Sequence, residues 1–184
     1  MPVYPLVQFK DLEKKKRIIL RFDFSYYQLY ERKFLEFIEA LLVADKQVVI
    51  LASGPTETVQ AAMQVCKSKY SDEYCQFACD EQENFADTVK LIMAEPVARL
   101  CFLTGFDDYG PENFLQVSFA QSLAMLGDIY IIDSIHLHGQ LTSSMALLPL
   151  ILPTYYGPTT ASDWQTLTNL KKNLFNKRSA VLLG

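Results

Sequence analysis

Short, nearly unbroken hydrophobic runs alternate along the chain with segments in which apolar residues recur every three or four positions. Ile18 to Phe22, Val48 to Ala52, Leu100 to Thr104 and Ile129 to Ile132 are the unbroken runs, and Gln76 to Ala78 is a weaker one. Strands buried on both faces read this way, because neither side alternates with solvent. Between them the period changes to that of a helix. Tyr27, Tyr30, Phe34, Phe37, Ile38 and Leu41 define one apolar helical face, and Val59, Met63 and Cys66 a second. Phe85, Val89, Ile92 and Met93 form a third, and Phe114, Phe119, Leu123 and Leu126 a fourth.

Local start signals agree with these periods. Asp80-Glu81-Gln82-Glu83 resembles a capping box, and Gly110-Pro111-Glu112 places proline in a first turn. Alternating strands and helices imply parallel pairing with right-handed crossovers. The pattern therefore predicts an α/β fold: a three-layer Rossmann-like sandwich with a mostly parallel sheet and helices on both faces. Beyond Asp133 the pattern loosens. Leu147 to Leu152 stops at Pro153, and Tyr155-Tyr156-Gly157-Pro158 reads as a turn. Residues 162–177 read as a helix entered through Ser162 or Asp163, with Trp164, Leu167, Leu170 and Leu174 at helical spacing. Ala180 to Gly184 reads as a strand that stops abruptly.

Composition narrows the function classes. At 184 residues, half of them hydrophobic, the chain suits one domain (1–184) with a substantial core. A net charge of −4 argues against a nucleic-acid partner, and Lys14-Lys15-Lys16-Arg17 reads as a solvated face. No run reaches the length of a membrane span. The four cysteines fit reduced, buried thiols in a cytoplasmic or other reducing intracellular compartment. Cys75 and Cys79 lack the second pair that a zinc motif needs.

Several chemistries can be weighed and set aside. His136 and His138, with Asp133 nearby, could offer metal ligands on a strand, but no third ligand is evident and both read as surface histidines. Asp133, Ser134 and His136 supply the residue types of a hydrolytic triad without the Gly-x-Ser-x-Gly elbow, and as sequence neighbours they read as coincidence. Seven glycines include neither a Gly-x-Gly-x-x-Gly motif nor a phosphate-binding loop lysine, so no cofactor is expected. Among the aromatics, adjacent Tyr26 and Tyr27 cannot both face a core. Tyr26, Tyr155, Tyr156 and Trp164 are candidate interface anchors, for a partner protein or for self-association.

Two stretches carry a family resemblance. Arg21-Phe22-Asp23-Phe24-Ser25, closing an apolar strand, resembles the Arg-x-Asp-Phe-Asn turn of phosphoglycerate kinase, and Leu126 to Ser134 is similar to that family's Leu-Gly-Asp-Val-Tyr-Val-Asn-Asp-Ala strand. Asp11-Leu12, Lys16-Arg17, Leu152-Pro153 and Gly157 resemble further family passages. Residues 162–177 resemble its interdomain helix, and residues 179–184 the opening strand of the companion domain. The resemblance implies the amino-terminal half of such a kinase, with Asp23, Ser25 and Arg32 as substrate-side positions. It also implies that the basic patch holding the anionic substrate is largely lost. Ser53-Gly54-Pro55-Thr56-Glu57 stands for Ser-His-Leu-Gly-Arg-Pro, Gly105 falls where an arginine belongs, and Gln140 replaces another. Glu57 and Glu112 would sit near helix starts, where an anion would otherwise bind.

The expectation is a catalytically inactive phosphoglycerate-kinase-like domain, with no catalytic residues, acting as a structural or interaction module, alone or as a subunit of a larger complex. The alternative is phosphoryl transfer between ATP and 3-phosphoglycerate with a separate or truncated nucleotide-binding domain. A third expectation is an acidic cleft around Asp23, Ser53, Asp107 and Asp133 that suits a cation or an amine.

Overall fold

The computed structural model describes residues 4–71, 74–78, 85–94, 99–105 and 107–176. Helix α1 (Phe9–Leu12) precedes β1 (Arg17–Asp23), whose end turns through a 3₁₀ segment, Phe24–Tyr26, into α2 (Tyr27–Val43). There follow β2 (Gln47–Ser53), α3 (Thr56–Lys69), β3 (Tyr74–Ala78), α4 (Phe85–Ala94) and β4 (Leu100–Thr104). Next come α5 (Gly110–Asn113), α6 (Val117–Ala124), β5 (Ile129–Ile132), a π-helical turn (Ser143–Leu147), α7 (Leu148–Ile151), β6 (Thr154–Tyr156) and α8 (Pro158–Asn176).

Six strands form one sheet in the order β3-β4-β2-β1-β5-β6, and every pairing is parallel. The expected sandwich is therefore present, and among the described residues its sheet is wholly rather than mostly parallel.

Strand periodicity divides the core in two. Ile18, Leu20 and Phe22 of β1 point to one face, with Ile50 of β2 and Phe102 of β4. There they meet Phe34, Ile38 and Leu41 of α2 and Val59, Ala62 and Cys66 of α3. Ile19, Val49, Leu51, Tyr130 and Ile132 point the other way, onto Phe85 and Val89 of α4 and Phe119 and Leu123 of α6. Burial on both faces is the reason these strands read as continuous apolar runs. Phe22, Phe24, Tyr27 and Phe34 form an aromatic cluster under the start of α2, with centroids 4.7–5.8 Å apart.

Three sequence expectations change. Tyr155 and Tyr156 belong to β6 rather than to a turn, because the chain pairs there with β5 and the segment around Leu6 bridges Tyr156 on its outer side. Helix α8 begins at Pro158, not at Ser162, since proline suits a first helical position. Phe114 is 76% exposed and lies outside α6, so the fourth apolar face is carried by Phe119 and Leu123, with buried Leu126 just beyond the helix. The capping-box-like tetrad Asp80 to Glu83 and the strand expected at Ala180 to Gly184 lie outside the described residues.

Candidate functional site

In a parallel sheet of this kind ligands bind beyond the carboxyl ends of the strands, where loops and helix N-termini present unpaired N–H groups. Here those ends are Asp23 on β1, Ser53 on β2, Thr104 on β4 and Ile132 on β5. Three turns at this end hold donors that could grip an anion. Each is already closed by a carboxylate from the chain itself.

At the first, Asp23 Oδ1 accepts from the Ser25 N–H at 2.9 Å and from the Ser25 hydroxyl at 2.6 Å, capping the 3₁₀ segment. At the second, the Asp107 carboxylate accepts from the Ser53 hydroxyl at 2.6 Å and the Gly54 N–H at 2.8 Å, with Arg21 Nη2 at 3.4 Å. At the third, Asp133 Oδ1 accepts the Thr160 N–H at 2.9 Å in the first turn of α8. Charge-assisted bonds of this kind are among the stronger ones a fold makes. An incoming phosphate would have to displace them.

Gly54 holds the first two turns together. Its φ is +110°, and a Cβ there would lie 2.8 Å from Ser25 N and 3.0 Å from Asp23 Oδ1. Both the left-handed backbone and the close approach require glycine. Gly54→Ala is expected to cost about 1–2 kcal/mol of stability from the backbone alone, and more from the clash. A chemical denaturation midpoint unchanged from the parent would refute this tight turn.

Arg21 is the residue that sequence reasoning left without a role. It sits in the middle of the β1 apolar run with 1% of its surface exposed. Its Nη1 donates to the Leu51 carbonyl at 3.2 Å, and Nη2 lies 3.9 Å from Glu112, itself 1% exposed. Glu112 in turn accepts from the Ser144 N–H at 2.9 Å and the Ser144 hydroxyl at 2.5 Å. Glu112 does open α5, as expected, but it faces inward and ties that helix to the π-helical turn. Almost wholly buried and set between the Asp107 and Glu112 carboxylates, this guanidinium is engaged inside the protein. The signal was available: a charge inside a doubly buried strand must be paired.

Asp133 was expected in an acidic cleft. It is instead wholly buried, and burial pushes its carboxyl up to about 6 despite its hydrogen bonds from the start of α8. Gly157 packs directly on it; a Cβ at Gly157 would come within 2.5 Å of Asp133 Cβ. Arg32 lies on the solvent side of α2, paired with Glu36 of the same helix at 2.8 Å rather than with Asp23 or Ser25. The structure brings Asp23, Ser25, Ser53, Gly54 and Asp107 together, and leaves Arg32 and Asp133 apart from them.

A cleft of about 230 Å³ opens beside this cluster, lined by Thr56, Gln60, Gln76, Thr104, Asp107 and Asp108 among others. Its described lining contains no lysine, arginine or histidine. Glu57 stands in the first turn of α3 near by.

The remaining candidates separate by exposure. Tyr26 is half exposed and stacks on His136 with centroids 4.5 Å apart. Tyr156 is buried in the second core and also lines an apolar cleft, and Tyr155 is partly buried against the first core. Trp164 is 43% exposed. His138 is not a surface histidine: it is half-buried between the Tyr156 and Trp164 rings, and burial lowers its pKa. Among the described residues no group of acidic, histidine or cysteine side chains could hold a metal ion. Cys66 and Cys101 are buried, and burial pushes the Cys66 thiol up to about 12. Cys79 lies outside the described residues.

No family model matches the chain, and no curated protein matches it. Among solved structures it is similar to phosphoglycerate kinase from Coxiella burnetii, with a TM-score of 0.63 at 15% identity. The match covers 89% of this chain and 44% of that one, so the chain spans less than half the length of the kinase. At that identity, the likeness shows the fold. Among the described residues, no helix is long and apolar enough to cross a membrane.

Proposed function

We propose that this chain is a non-catalytic domain of phosphoglycerate-kinase-like fold that serves as a structural or protein-interaction module. One observation carries the reading: at the carboxyl end of the sheet, the turns that could hold an anion are closed by Asp23, Asp107 and Asp133 of the chain itself. A phosphorylated carboxylic acid needs fixed guanidinium forks. Yet Arg21 is buried in an internal ion pair and Arg32 serves α2. Asp23 and Ser25 are substrate-side positions only in a vestigial sense, since they satisfy each other.

An interaction role is supported by the surface beside β6. Two apolar clefts of about 560 and 320 Å³ adjoin there, both lined by Tyr4, the second also by Leu6, Tyr156 and Trp164. Adjoining apolar clefts of this kind offer pockets that a partner's side chains can fill.

The test is calorimetric titration of the chain with 3-phosphoglycerate, alongside an assay of phosphoryl transfer from ATP. No saturable heat in the micromolar to low millimolar range and no turnover are expected. Micromolar binding would overturn the reading and favour the alternative, in which a separate nucleotide-binding domain completes an active kinase.

A further inference from the structure

Helix α8 leaves the body of the protein. Its first turns are held: Thr159 and Thr160 are buried, Tyr30 donates to Asp163 at 3.1 Å, and Lys33 donates to Ser162 at 2.7 Å. From Trp164 to Lys172 every residue is exposed, whichever way it faces. Trp164, Leu167 and Leu170 nevertheless form an apolar stripe at a three-residue spacing, exposed by 43%, 48% and 50%. Helices in proteins are held mainly by packing such a stripe, not by propensity. A stripe left open in this way calls for a partner surface.

The sequence of this segment specifies what. Asp163-Trp164-Gln165-Thr166-Leu167-Thr168-Asn169-Leu170-Lys171 is a chemical palindrome about Leu167. Reading outward in both directions, threonine answers threonine, an amide answers an amide, an apolar residue answers an apolar residue, and an acid answers a base. When two copies of one helix lie antiparallel about a two-fold axis, each residue meets its mirror position in the other copy at the same height. Leu167 then meets Leu167, Trp164 meets Leu170 with Lys171 beside its ring, and Asp163 lies level with Lys171. A parallel pairing would instead set like charges side by side at both ends of the stripe, which is unfavourable.

We infer that α8 is a self-association surface, pairing antiparallel with α8 of a second copy of this chain about Leu167. This rests on the interaction-module reading and names its partner. Two-fold, self-complementary contacts are the commonest way that chains associate. The cleft lined by Trp164, Ala161, Tyr156 and Leu6 is continuous with the stripe and extends the apolar contact at each end.

Sedimentation of the 184-residue chain over a dilution series from micromolar to millimolar tests this. The parent chain is expected to reach twice the chain mass, and Leu167→Lys to remain at the single-chain mass while still unfolding cooperatively in urea, which shows that the sheet is intact. Lys171→Glu, which sets two acids level, is expected to weaken association by roughly fivefold. Leu167→Cys, lying on the two-fold axis, is expected to crosslink to itself on mild oxidation, while Leu29→Cys on α2, at the more exposed position (76% against 48%), is not. A single-chain mass at every concentration would overturn the inference, and so would association that survives Leu167→Lys. A single-chain protein that also ignores 3-phosphoglycerate would sink this inference alone. An associating protein that binds the metabolite would sink the functional reading alone.

Discussion

Glu112→Ala is expected to cost about 3–5 kcal/mol of folding stability, the usual result of removing one partner from a buried ion pair. The substitution leaves the Arg21 guanidinium, 1% exposed, without its buried carboxylate. It also strips the Ser144 N–H and hydroxyl of their acceptor. Asp107, the other carboxylate near Arg21, is half exposed and already holds Ser53 and Gly54, so it compensates only in part. Urea unfolding of Glu112→Ala, of Arg21→Met and of the double variant Arg21→Met/Glu112→Leu separates the causes. The double variant is expected to recover the part of the loss due to the stranded charge, because an apolar pair of similar volume is often no worse than a buried ion pair, but not the part due to the Ser144 donors. A single variant that loses less than about 1 kcal/mol would show that α5 and the π-helical turn are held by packing alone.

The second large effect concerns pH. Asp133 has its carboxyl raised from 3.8 to about 6, chiefly by burial. The folded state therefore binds a proton that the unfolded state releases between about pH 4 and pH 6. Stability contributed by this group is fully present below about pH 4. It is lost as pH rises through that window and is constant above it, for a total of about 3 kcal/mol. Asp133→Asn keeps an oxygen to accept the Thr160 N–H and removes the buried charge. It is expected to match the parent near pH 4 and to exceed it by up to about 3 kcal/mol at pH 7. A variant less stable than the parent at pH 7 would mean that the start of α8 stabilises the ionised carboxylate more than burial penalises it. Gly157→Ala reaches the same carboxylate from the other side, by crowding it, and is expected to destabilise at every pH.

Much of the fold was legible because a doubly covered parallel sheet imposes a strong pattern. Ile18 to Phe22 and Val48 to Ala52 read as buried strands since both of their faces are dry. The short β6 was not legible: its aromatic pair precedes a glycine and a proline, and those residues signal a turn more loudly than three residues signal a strand. Its strand character comes from β5 and from the Leu6 segment, partners distant in sequence.

The site was legible in composition and illegible in orientation. The scarcity of arginine and histidine in the loops was visible. That Asp107 turns back onto Gly54, that Glu112 turns inward to Arg21, and that Asp133 lies beneath α8 depends on tertiary geometry. Arg21 was the missed clue, a charge in a dry strand.

The central claim is that the chain's own carboxylates occupy the anion-binding donors at the carboxyl end of the sheet. It is tested most directly by following the backbone amide resonances of Ser25, Gly54 and Thr160 while 3-phosphoglycerate is added. All three are expected to stay in place into the millimolar range. Saturable shifts of these amides at micromolar ligand would contradict the account.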